Sequence, residues 1–122
     1  TLSIPSLGIR YRVYDGTSSA SMRKGVGHFP STSAWSGNIG LCGHNRGSSH
    51  NIGSIKNLEV GDAIRYETSL GTRTYSVSYV GIIDWTDWSY LNSTSDNRIT
   101  IITCLANQPT KRVCVQGIEI SS

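Results

Sequence analysis

Apolar residues along this chain come in short runs that alternate with polar positions or stand unbroken, and Gly, Ser, Asn and Asp separate them. Residues 2–9 alternate and carry Pro5, which predicts an edge strand or extended entry. Residues 10–14 continue as strand, with Tyr11 and Val13 on one face, and Asp15-Gly16 turns the chain. Residues 19–24 predict a short helix capped by Ser19 or Ser21. A glycine-rich stretch at 25–30 and a polar loop around Trp35 lead to a strand over 38–44. A loop at 45–49 precedes a short helix within 50–58, and 58–64 reads as a turn into a strand. Tyr66 leads to a hairpin at Ser69-Leu70-Gly71, and a long strand runs over 72–83. Residues 84–95 form a loop holding Trp85, Trp88 and Tyr90.

The last part of the chain carries the strongest signal. Ile99, Thr100, Ile101, Ile102 and Thr103 are β-branched without a break, which predicts a buried strand ending on Cys104. A polar connection, Asn107-Gln108-Pro109-Thr110, separates it from a closing strand that begins Lys111-Arg112-Val113-Cys114-Val115. About eight strands with short helices, and no repeat or linker, predict an all-β barrel or sandwich.

Composition narrows the function classes. A chain of 122 residues is one domain with room for a single core. The net charge of +3 is mild and its Lys and Arg are scattered, which argues against a nucleic-acid partner. No apolar stretch is long enough to span a membrane, and residue 1 opens directly on a strand-like segment without a signal peptide. Three cysteines without a CxxC pair do not suggest a disulfide framework.

The chemistry centres on Cys104. A thiol at the mouth of a buried strand, with an arginine entering on the next strand, suits a nucleophile: thiolate needs nearby positive charge, and an oxyanion needs a fixed donor. Lys111 and Arg112 point to opposite faces, so at most one of them faces Cys104. A base is supplied by one of three histidines. His44 ends an apolar strand after Gly43, His28 also follows a glycine, and His50 sits in a polar loop.

Together these pieces resemble sortases, the cysteine transpeptidases of Gram-positive cell surfaces. Thr100-Ile101-Ile102-Thr103-Cys104 looks like the family's TLxTC box, and Gly43-His44 like its Gly-His box. The Ile4-Pro5 opening and the Leu58-Glu59-Val60-Gly61-Asp62 segment also resemble the family. The resemblance implies an eight-stranded β-barrel over residues 1–122, forming a catalytic domain whose N-terminal membrane anchor lies outside this chain. It implies Cys104 as nucleophile, His44 as general acid/base and Arg112 as the oxyanion-stabilising cation, with no cofactor. It further implies an LPxTG-like sorting-signal peptide as substrate, a cell-wall precursor amine as acceptor and a location outside the cell membrane. The run over 25–45, followed by Arg46-Gly47, looks most like class D enzymes.

Other residues are open to more than one use. Thr103, His28, Trp85 and Trp88 are candidate substrate contacts, and the aromatic residues serve equally well as loop anchors. In the sortase barrel the Cys104 strand lies between those of Cys42 and Cys114. These two would then be roughly 9–10 Å apart, beyond disulfide reach, and are expected as packed free thiols. Glu59, Asp62 and Glu67 are too spread out to suggest a calcium site. Two rival readings are a β-domain binding metal through Cys42, His44 and either Cys104 or Cys114, and an inactive barrel that only binds peptide.

Overall fold

A computed structural model describes residues 1–16, 25–33, 35–43, 52–87, 89–105 and 108–120; for Asp15, Gly53, Cys104, Leu105, Gln108 and Pro109 it describes the backbone alone. Among the described residues nine strands form one sheet: β1 (Leu2–Ile4), β2 (Ile9–Tyr11), β3 (Val13–Asp15), β4 (Val26–His28), β5 (Asn38–Gly43), β6 (Ala63–Thr68), β7 (Gly71–Asp84), β8 (Arg98–Leu105) and β9 (Gln108–Glu119). Their order is β2-β1-β6-β7-β9-β8-β5-β4-β3. The edge strands β2 and β3 are consecutive in the chain, with only Arg12 between them. One chain segment therefore pairs with β1 at one edge and with β4 at the other, and the sheet nearly closes into a barrel.

The expected mainly-β barrel is observed, with nine strands in place of eight. Strands beyond those expected lie at the opening, where one continuous strand was expected, and at β4, expected as a glycine-rich stretch. Pro5 has no N–H for a ladder and starts a 3₁₀ turn over Pro5–Leu7. Gly8 then takes a left-handed φ of 66° and donates its N–H to the Pro5 carbonyl at 3.1 Å. The chain reverses there, so Ile4 pairs with Ile9 and Leu2 with Tyr11. The helix expected at 19–24 and the loop at 45–49 lie outside the described residues. The helix expected within 50–58 is a 3₁₀ turn, Gly53–Asn57, and Ile52, Ile55 and Leu58 around it are buried in the core.

Alternation along β8 sorts the unbroken apolar run into two faces. Ile99, Ile101 and Thr103 point inward, where Ile99 and Ile101 pack with Ile39, Leu41, Val77, Val113 and Val115. Thr100 and Ile102 point outward and are nevertheless buried, because the segment around Tyr90 and Leu91 covers them. Cover on both faces explains why the run shows no polar alternation. β8 extends one residue past Cys104, to Leu105, with a register irregularity between the two.

Candidate active site

The outward face is ordered in rows that run across four strands. Gly40 on β5, Thr100 on β8, Gln116 on β9 and Tyr79 on β7 form one row. Cys42, Ile102, Cys114 and Gly81 form the next. Cys104, Arg112 and Ile83 form the row beyond. The backbones of Cys104 and Arg112 are thus direct cross-strand partners. Lys111 points to the other face, opposite Asp84. The Arg112 guanidinium is half-buried and donates from Nη1 to the Lys111 carbonyl at 2.9 Å. Ile83, almost fully buried, flanks Arg112 on the side away from Cys104.

β5 runs parallel to β8 and ends on Gly43, opposite Thr103. The next residue in sequence is His44, which lies outside the described residues together with Trp88 and the Cys104 side chain. Thr103, expected as a substrate contact, is turned to the barrel interior. Its hydroxyl donates to the Gly43 carbonyl at 2.8 Å and ties the end of β5 to the strand of Cys104.

His28 is buried on β4 opposite Leu41, which faces the core. Its Nε2 donates to the Ser33 carbonyl at 2.8 Å, with the Thr32 hydroxyl 3.2 Å away. That hydroxyl donates to Phe29 O and accepts from Gly40 N, so His28 belongs to a closed set of bonds holding the loop after β4. The structure does not bring it to the Cys104–Arg112 row.

The aromatic residues divide between the two uses left open for them. Tyr90 is an anchor: its ring stacks on Tyr79 at 5.3 Å between centroids, with the two hydroxyls 3.4 Å apart. That hydrogen bond, more than burial, pushes the Tyr79 phenol up to about 12. Trp85 is 49% exposed, and its backbone N–H pairs with Thr110 O just past the Arg112–Ile83 pair.

The other thiols flank the site without duplicating it. Cys42 and Cys114 both lie opposite Ile102, two strand spacings apart, which is outside disulfide reach. Cys114 is a fully buried free thiol, and burial pushes it up to about 12, so it carries almost no thiolate near neutral pH. Among the described residues no group of three His, Cys, Asp or Glu side chains is placed to hold a metal. Of the carboxylates weighed for calcium, Asp62 accepts from Glu59 N in a turn and Glu67 pairs with Arg10 at 3.5 Å.

Sequence reasoning missed the residues that hold the segment before β8. Asn38, Thr100 and Gln116, from three neighbouring strands, reach the backbone of Tyr90 and Asn92. The available signal was a polar residue at an outward position within the central part of three neighbouring strands.

A family model described as the sortase domain matches residues 2–119. The chain is 32% identical to sortase A of Listeria monocytogenes serovar 1/2a over 120 residues, which is 96% of this chain and 54% of that protein. It is 30% identical to sortase D of Bacillus subtilis strain 168, over 98% of this chain and 63% of that protein. The chain therefore spans less than two thirds of the length of either relative. The crystal structure of sortase C-1 from Actinomyces oris superposes with a TM-score of 0.92 at 27% identity, over 99% of this chain and 71% of that one. The barrel and these matches agree, and the chain belongs to the sortase family.

Proposed function

We propose that this domain is a cysteine transpeptidase acting on sorting-signal peptides. The observation that carries the reading is the direct pairing of Cys104 with Arg112. The Cys104 thiolate attacks the threonine carbonyl of an LPxTG-like peptide, forming a C–S bond and an oxyanion. Arg112 stabilises that oxyanion with the fixed N–H donors of its planar guanidinium. Collapse breaks the peptide bond after threonine, and His44 delivers a proton to the departing amine. The resulting thioacyl-enzyme is attacked by an amine of a cell-wall precursor. His44 then accepts that amine's proton, the new amide forms, and the Cys104 thiolate leaves.

His44 is assigned from the Gly-His box and from chain position, directly after the residue paired with Thr103. The setting is the outer face of the cell membrane in a Gram-positive bacterium, with surface proteins as cargo. Similar identities to a sortase A and a sortase D leave the run over 25–47 as the support for class D.

The test is cleavage of a panel of quenched fluorescent sorting-signal peptides, with mass spectrometry for a thioacyl adduct. Cys104→Ala and His44→Ala are expected to abolish turnover, Arg112→Ala to lower it severely, and His28→Gln to retain it. Loss of activity in His28→Gln with survival of His44→Ala would reverse the histidine assignment. A parent inert to the whole panel, with Cys104 resistant to alkylation, would replace the transpeptidase with a peptide-binding barrel.

A further inference from the structure

One uninterrupted chain of hydrogen bonds crosses the outward face two rows from the Cys104–Arg112 pair, and its polarity is set at one end. Asp96 grips Arg98 through both oxygens, from Nε at 2.9 Å and Nη2 at 2.6 Å. Arginine only donates. Its remaining Nη1 faces Gln116 Oε1 at 3.4 Å, so the Gln116 oxygen points to Arg98 and its NH₂ points away. One Gln116 N–H goes to Thr100 Oγ1 at 3.1 Å and the other to Tyr90 O at 3.1 Å.

Thr100, now an acceptor on one side, gives its single hydrogen to Asn38 Oδ1 at 2.7 Å, the shorter of its two acceptor distances. The Asn38 NH₂ must then face outward. Its two hydrogens go to Tyr90 O and Asn92 O, both at 2.9 Å. Every hydrogen of both amides is used once, and Asn38 and Thr100 are almost wholly buried. An apolar floor would have covered the strands equally well, yet the chain is aimed at two loop carbonyls.

The residues so held bear on the site. Tyr90 and Leu91 pack on Ile83, Ile102, Cys114 and Tyr79. Ile83 is the neighbour of Arg112, and Ile102 lies two residues before Cys104. Leu91 also rests on Gly40, where a Cβ would come within 2.8 Å of its Cδ2. We propose that Asn38, Thr100 and Gln116 are positioning residues that lock the Tyr90–Asn92 backbone as a pre-formed wall for the sorting-signal peptide. This inference rests on the transpeptidase reading for the identity of the peptide. The locking itself does not depend on that reading.

The near-isosteric change Asn38→Asp is the sharpest probe, because it turns carboxylate oxygens toward two carbonyls. Thr100→Val removes the relay at constant shape, and Thr100→Ser restores it. The readouts are amide hydrogen exchange over residues 85–97 and the Kd of a fluorescent sorting-signal peptide, the latter on a Cys104→Ala background that needs no turnover. Asn38→Asp and Thr100→Val are expected to accelerate exchange in that segment and weaken peptide binding by about tenfold, with β8 and β9 amides still protected. Thr100→Ser should match the parent in both. Unchanged exchange in both disruptive variants overturns the lock, and faster exchange with unchanged Kd overturns its role in recognition. A parent that binds the peptide tightly but never cleaves it removes the proposed reaction and leaves this inference standing. A parent that does not bind it removes the wall's stated occupant, and the inference with it.

Discussion

The ring of Tyr79 lies back along its own strand over Gly81, so that a Cβ at position 81 would overlap the Tyr79 hydroxyl. Glycine is needed there for close approach. The phenol is thereby laid flat beside Cys114 and Ile83, where Tyr90 stacks on it. Gly81→Ala should lift the ring and break the stack, at a cost of about 1–3 kcal/mol. Tyr79→Ala with Gly81→Ala should be closer to Tyr79→Ala alone than additivity predicts, because the overlap disappears with the ring. Chemical denaturation of the three variants checks this.

Arg112 and Lys111 are adjacent cations with opposite outlooks. Arg112→Ala is expected to lower kcat/KM for a sorting-signal peptide by about 10²–10³, the range for loss of an oxyanion donor. Arg112→Lys should recover little, because an ammonium lacks the planar fork. Lys111→Ala should stay within a few-fold of the parent. Steady-state kinetics on the three variants tests the ranking.

The buried Cys114 thiol gives stability a dependence on alkaline pH. Its folded pKa of about 12 lies above the ordinary 9.0, so the folded state holds its proton where the unfolded chain has lost it. Stability from this group is complete below about 9 and declines as pH rises toward 12. Tyr75, raised to about 12 chiefly by burial, acts in the same direction from 10 upward. Urea midpoints should therefore fall between pH 9 and pH 11, and Cys114→Ala should flatten the early part of that slope. Native Cys114 should also resist iodoacetamide at pH 8 and react once unfolded.

Arg73 serves the far end of the barrel. Its guanidinium lies 4.3 Å over the Trp35 ring, donates to Trp35 O at 3.2 Å and pairs with Glu119 at 3.5 Å. Arg73→Lys keeps the charge and loses the stacked plane, so a loss of about 1 kcal/mol is expected, with more for Arg73→Ala. Thermal unfolding of both variants measures it.

Local chemistry made much of this legible. The β-branched run over 99–103, the hairpin at Ser69-Leu70-Gly71 and the mainly-β architecture were all readable from spacing and residue type. Thr100 was readable as a strand residue and as the start of the TLxTC-like box but not as a relay, because its partners Asn38 and Gln116 are 62 and 16 residues away. Thr103 looked like part of a reactive box, yet alternation turns its hydroxyl inward to Gly43. Tyr90 became an anchor only through Tyr79, on a different element. For Thr100 and Thr103 the deciding quantity was cross-strand register, and for Tyr90 it was the packing of a loop on a strand, both of which pair residues that no local window contains. Pro5 was the reverse case: a turn start was legible there, and a longer extended segment was read across it.

The break at Arg12 has a topological consequence. A single residue separates the part of the chain that zips one margin of the sheet from the part that zips the other, and the Arg12 carbonyl itself accepts from Val26 N–H at 3.0 Å. The segment is a clasp, and it keeps both rows of edge backbone groups away from other chains without the charged or bulged borders that open sheets use. A single cut beside that arginine would expose two sticky margins at once, and the barrel would become a sheet with a template on each side.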